Sequence, residues 1–97
     1  TEISTIHVVE KVLKERGKNI AEVEIGYDST YERAELVFAR TITKDGRVVS
    51  VGKENIRDVS KYLNFPLYSN ARAFIISMPS VEVGSIIDYK VKVYSSK

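Results

Sequence analysis

The chain alternates along much of its length. Ala21, Val23, Ile25 and Tyr27 are separated by Glu22, Glu24 and Gly26, the period-two pattern of a strand with one buried and one wet face. Ile87, Tyr89, Val91 and Val93 alternate in the same way with Asp88, Lys90 and Lys92. Between these two, the pattern predicts strands over Ala34 to Thr43, Arg47 to Val51 and Arg72 to Met78. Ile3 to Glu15 fits a helical stripe through Val8, Val9, Val12 and Leu13 as well as it fits a strand. Its β-branched content and the turn residues Gly17-Lys18-Asn19 favour a strand, forming a hairpin with Ala21 to Tyr27.

Turn chemistry separates the elements. Asp28-Ser29-Thr30 is one turn, and Asp45-Gly46 joins the third and fourth strands. A two-residue loop there would pair Ile42 with Val49. A three-residue loop over Lys44-Asp45-Gly46, with Gly46 left-handed, pairs Ile42 with Val48 and suits these residues better. The face of Arg40 stays open at this point. Between Gly52 and Asn70 the alternation is lost, and Ile56, Val59 and Leu63 take the spacing of a short helix or turn, closed by Phe65-Pro66. This segment reads as an irregular crossover. Pro79, which has no N–H for a ladder, ends the fifth predicted strand, and Gly84 turns the chain into the last one, with Tyr89 directed to the core. Six or more short strands separated by turns predict an all-β sandwich.

Composition adds limits. At 97 residues, with 43% apolar and 29% charged side chains, the chain suits a single domain over its whole length. The net charge is +2, with eight bases and nine acids before residue 50 and seven bases and four acids after it. No basic run exists to attract nucleic acid or an anionic membrane, and no apolar stretch reaches the length of a helical span. Cysteine is absent, which removes thiol nucleophiles, thiolate metal ligands and disulfides together.

The remaining candidates for chemistry are sparse. His7 alone cannot build a His-rich metal site, and it reads as a structural or surface residue. Asp28, Asp45, Asp58 and Asp88 fall where turns and wet strand faces usually carry aspartate. Gly84-Ser85 lacks the flanking pattern of a nucleophile elbow, and the five glycines form no phosphate loop or dinucleotide fingerprint, so no cofactor is implied. Tyr62, Phe65 and Tyr68, beside Asn70 and Arg72, could form a platform for peptide or glycan, although large side chains over a crossover are more readily caps on the open end of the core. Glu22 and Glu24 have the spacing to oppose Lys90 and Lys92 across strands.

Several segments in order resemble a known family. They are Ala39-Arg40-Thr41-Ile42-Thr43 with Lys44-Asp45-Gly46-Arg47-Val48-Val49, then Ile56-Arg57-Asp58-Val59-Ser60, Tyr68-Ser69-Asn70-Ala71-Arg72, and Ile76 to Pro79 with Val83-Gly84-Ser85-Ile86-Ile87-Asp88-Tyr89. Together they look like the DUF3857 domain, which precedes transglutaminase-like domains in bacterial proteins. The resemblance runs from about Ile6 to Val93 and implies an immunoglobulin-like β-sandwich that is not itself catalytic. It further implies a domain excised from a longer exported or envelope-associated protein, packing against and positioning a transglutaminase or cysteine-protease-like domain of the same polypeptide, with a protein or peptide substrate. An independent peptide- or glycan-binding module is the alternative. A catalytic Cys-His-Asp set cannot come from this chain, which has one His and no Cys.

Overall fold

The computed structural model describes residues 2–14, 21–60 and 70–96. Seven strands are present among them: β1 (Glu2–Lys11), β2 (Glu22–Asp28), β3 (Glu32–Ile42), β4 (Val48–Ser50), β5 (Ile56–Ser60), β6 (Ala71–Ser77) and β7 (Ile86–Ser95). They form two antiparallel sheets, β1-β7-β3-β4 and β2-β6-β5, and the expected all-β sandwich is what the chain builds. The core lies between the sheets. Val23, Ile25, Phe74 and Ile76 enter it from the smaller sheet, and Ala39, Ile87, Val91 and Val93 from the larger one. Tyr89 packs half-buried against this core, and burial, helped by the nearby charge of Glu10, pushes its hydroxyl up from the ordinary tyrosine range.

The β3–β4 hairpin takes the three-residue register, with Ile42 opposite Val48. Gly46 supplies the left-handed residue at φ 91°, and its N–H donates to the Thr43 carbonyl at 2.9 Å. The Thr43 hydroxyl donates to the Asp45 carboxylate and accepts from the Arg47 N–H, so one buried side chain ties both arms of the loop. The first turn is also local chemistry: the Asp28 carboxylate accepts from the Thr30 N–H at 2.9 Å, two residues on.

Three expectations change. First, β1 is a strand but not the hairpin partner of β2. It pairs instead with β7 over ten residues, Glu2 opposite Ser95 through Lys11 opposite Ile86, whereas β2 pairs with β6 across the sandwich. The equal lengths and apolar alternation of each pair outweigh sequence proximity, because they seat Ile6 beside Val91 and Ile25 beside Phe74 on core-facing rows. The proposed turn at Gly17-Lys18-Asn19 lies outside the described residues. Second, Glu22 and Glu24 cannot oppose Lys90 and Lys92, since they sit in different sheets; Lys92 lies between Glu35 of β3 and Thr5 of β1. Third, the crossover is not irregular throughout. A short 3₁₀ turn at Lys53–Asn55 leads into β5, where Ile56 and Val59 fall on opposite faces rather than along one helical stripe.

The corner between β6 and β7 follows the expected logic with an added partner. Strand β6 ends at Ser77, and the next residue, Met78, donates its N–H to the Ala21 carbonyl at 2.7 Å before Pro79 stops the ladder. Gly84 then turns at φ 95° and donates to the Val12 carbonyl at 2.7 Å, while Val12 donates to Ser85 at 2.8 Å. The corner is thus locked to the end of β1. A Cβ at Gly84 would meet the Lys44 side chain at 3.2 Å in a backbone region that other residues rarely adopt. Gly84→Ala should therefore cost about 1–2 kcal/mol in urea unfolding. A neutral result would show that the corner relaxes freely.

Candidate functional site

The charged centre of the molecule lies on the outer face of the larger sheet, and a β-bulge puts it there. From Glu32 to Leu36 the even positions of β3, Ala34 and Leu36, face the core opposite Val93 and Val91. Simple alternation would carry Phe38 and Arg40 inward as well. Between Leu36 and Phe38 the register slips by one residue, so that Phe38 comes opposite Lys90 and Arg40 opposite Asp88, while Ala39 and Thr41 turn in. The run of four apolar residues, Leu36-Val37-Phe38-Ala39, is the sequence trace of that change of face.

Asp88 is the hub. On β7, between β1 and β3, it is only 6% exposed although it points away from the core. His7 Nε2 lies 2.9 Å from its Oδ1, while Arg40 gives two contacts to Oδ2, Nε at 2.9 Å and Nη2 at 2.8 Å. Burial alone would push the Asp88 carboxyl up. The hydrogen bonds from His7 and Arg40, with their charges, more than offset that and hold it below the usual carboxylate range. The Phe38 ring completes the cluster: it meets the His7 ring edge-on at 5.6 Å and a 79° angle, and the Arg40 guanidinium stands 5.0 Å from its centroid. Four residues from three adjacent strands are therefore fixed on one face.

Around this hub the outer face is mixed, with Lys90 between His7 and Phe38, Lys92 between Thr5 and Glu35, and exposed apolar side chains among them. Ile3 and Val9 on β1 and Val48 on β4 share the outer face and are 57%, 60% and 59% exposed, and Val37 projects at the bulge. Farther along, Arg33 lies 4.0 Å over the Tyr94 ring, beside an open depression of about 420 Å³ that also involves Thr30, Tyr31, Glu32 and Ser96. The outer face of the smaller sheet is different. There Glu22 accepts from Arg57 and, at 3.0 Å, from the Ser77 hydroxyl, and the neighbouring positions include Glu24 and Gly26. It is a wetter surface.

The residues expected to form a binding platform are only partly within view. Tyr62, Phe65 and Tyr68 lie outside the described residues. Asn70 is exposed at the start of β6, and its carbonyl accepts from the Ser29 N–H at 2.8 Å and the Ser29 hydroxyl at 3.1 Å. Arg72 continues the core-facing row of Phe74 and Ile76 at the mouth of the sandwich. Its Nε donates to Asp58 Oδ1 at 2.9 Å and its Nη2 to the Asp58 carbonyl at 2.9 Å, while the Tyr27 hydroxyl donates to the other carboxylate oxygen. Burial first, and then the Asp58 hydrogen bond and charge, push the Tyr27 hydroxyl up. Asp58 and Asp88, read from the sequence as ordinary wet-face aspartates, are in fact the acceptors on which the two charge clusters are built.

The His7–Asp88 pair has the form of an oriented base, yet an acyl-transfer site also needs a nucleophile within its reach. On this face His7 is flanked by Thr5 and Val9 along β1 and stands opposite Lys90, and the sequence has no cysteine. Among the described residues, no three His, Cys, Asp or Glu side chains converge as a metal site requires. What the face offers is a polar hub of His7, Asp88 and Arg40 with the Phe38 ring against it, and Val9 and Lys90 as neighbours.

No curated protein matches the chain. Among solved structures, the fold is similar to the crystal structure of a protein described as a putative protease from Parabacteroides distasonis, with a TM-score of 0.80 at 16% sequence identity. The likeness covers 96% of this chain but 19% of that one, so the chain spans about a fifth of the length of the structure it matches. At that identity it is the fold that is shared. The family model for a domain of unknown function with a solved structure, DUF3857, matches residues 1–97, and the chain belongs to the DUF3857 family.

Proposed function

We propose that this domain is a non-catalytic accessory module that packs, through the outer face of the β1-β7-β3-β4 sheet, against a catalytic domain of the same polypeptide. The observation that carries the reading is that Ile3, Val9 and Val48 stand exposed on the same outer face as the His7–Asp88–Arg40 hub. Apolar side chains around a preorganised charged centre resemble the make-up of a docking interface, in which the surrounding contacts exclude water from the hub. The likeness to a protein about five times as long supports an occupant from the same chain, and the description of that protein as a putative protease supports a protease-like one. A signal peptide ahead of Thr1 in the parent gene, consistent with an exported or envelope protein, belongs to the same reading. The alternative of a peptide or glycan platform finds less support, because the Arg72 guanidinium is already engaged with Asp58.

The parent gene gives the first test: a reading frame with a Cys-His-Asp catalytic domain after Lys97 is expected, and one without a catalytic domain overturns the proposal. The second test is Val48→Asp with Ile3→Asp, made both in residues 1–97 and in the full polypeptide. Both side chains are exposed, so the isolated domain should keep its stability to within about 0.5 kcal/mol per substitution. In the full polypeptide, calorimetry should show the domain's transition separating from that of the catalytic domain. An unaltered cooperative melt would sink the assignment of this face.

A further inference from the structure

Each sheet of the sandwich has two edges, and three of the four carry features that discourage further pairing. Strand β4 is three residues long; β2 presents Glu22, Glu24 and Gly26; β5 is five residues long with Arg57-Asp58 at its middle. Short edges, charged edges and glycine are the usual protections against edge-to-edge association. The fourth edge has none of them. Strand β1 runs ten residues in unbroken register with β7, without bulge, Pro or Gly, and among the described residues no strand lies on its other side. From Ile3 to Val9 it reads Ile-Ser-Thr-Ile-His-Val-Val, with its acids and its lysine only at the ends.

We propose that this edge pairs antiparallel with the same edge of a second copy of the chain, about a twofold axis at Ile6, joining two four-stranded sheets into one. The symmetry decides the register. A twofold axis normal to the sheet keeps outer-face residues beside outer-face residues, so it must pass through a residue pair and not between two. With the axis at Ile6, the outer face brings each Ile3 against the second copy's Val9, and Thr5 against His7. Ile3 and Val9 are the exposed large apolar side chains of β1, and pairing sets each against the other. On the core-facing side Ile6 meets Ile6 and Ser4 meets Val8. Moving the axis to His7 instead sets Ile3 against Lys11 and His7 against itself. About Ile6 the large apolar side chains Ile3, Ile6 and Val9 are disposed symmetrically, and that self-complementarity favours a second copy over an unrelated strand.

One feature of this register opposes pairing: Glu2 meets the second copy's Glu10 at both ends. With only nine residues of each strand in contact, the association is a reversible, concentration-dependent one rather than an obligate dimer. The repulsion also supplies the sharpest test. Sedimentation equilibrium of residues 1–97 should show a monomer–dimer equilibrium. Glu10→Lys turns both Glu–Glu pairs into opposite-charge pairs and should tighten it roughly three- to tenfold, whereas Val9→Lys should weaken it by more than about tenfold. Val48→Lys, on the same outer face but at the far edge, should leave it unchanged. A monomer at every concentration overturns the proposal. So does a dimer that Val48→Lys weakens and Glu10→Lys ignores, since that pattern belongs to face-to-face contact. None of these outcomes depends on whether the outer face docks a catalytic domain.

Discussion

Replacing Ile76 with alanine is expected to remove about 3–4 kcal/mol from a domain whose total stability, at this size, is of the order of 5–15 kcal/mol. Ile76 and Ile87 are the largest fully buried side chains among the described residues, and Ile76 sits on the middle strand of the smaller sheet with Val23 on one side and Ile56 on the other. Both neighbours are held by strand pairing, and the same core cluster takes in Ile87 and Val91 of the opposite sheet, so the cavity has little freedom to collapse. The adjacent residue is the control. Ile75 faces outward between Glu24 and Arg57 and is half-buried, so Ile75→Ala should cost about 1 kcal/mol or less. Urea midpoints for the two variants decide the matter, and equal losses would mean that the faces of β6 are assigned wrongly.

That pair of neighbours also marks what could be read from the sequence. Strands with regular alternation were legible because one buried face imposes a period of two, and the hairpin at Asp45-Gly46 was legible because only certain residues accept its left-handed position. Pairing partners were not. The choice of β7 rather than β2 for β1 depends on how two sheets close over one core, and no local pattern contains that. Strand β5 was obscured for a related reason: in five residues, Ile56 and Val59 satisfy a helical spacing and a strand equally, until pairing with β6 sends them to opposite faces. The hub was hidden by the bulge. Alternation read through Leu36 directs Arg40 inward, and only the one-residue slip brings it beside Asp88. A buried carboxylate on an outward face has no signature in a sequence, because its burial comes from His7 and Arg40, residues 81 and 48 positions away.

Asp88→Asn is the second large effect expected, and its dependence on pH separates charge from shape. The amide keeps the volume of the carboxyl, can accept from Arg40 and can donate to a neutral imidazole, so what it removes is mainly the negative charge. Because the folded-state carboxyl titrates below its ordinary value, it contributes stability above the unfolded value of about 3.9, and that contribution is lost as the pH falls through the folded value. The full attraction of a buried pair does not apply, since the His7 and Arg40 side chains are 49% and 46% exposed and solvent screens them. About 2 kcal/mol at neutral pH is the resulting expectation. As the pH falls through the folded value the wild-type carboxyl takes up its proton, and the difference between the two proteins should shrink steadily with it. Urea unfolding at neutral pH and at successively lower pH measures this directly. Arg40→Met should cost at least as much at neutral pH, because it leaves the buried carboxylate with His7 alone, whereas Asp88→Asn leaves the half-exposed Arg40 and His7 side chains free to reach water. A pH-independent loss for Asp88→Asn would instead assign the residue to packing, and the outer face would then lose the rigid charged centre that distinguishes it from the rest of the surface.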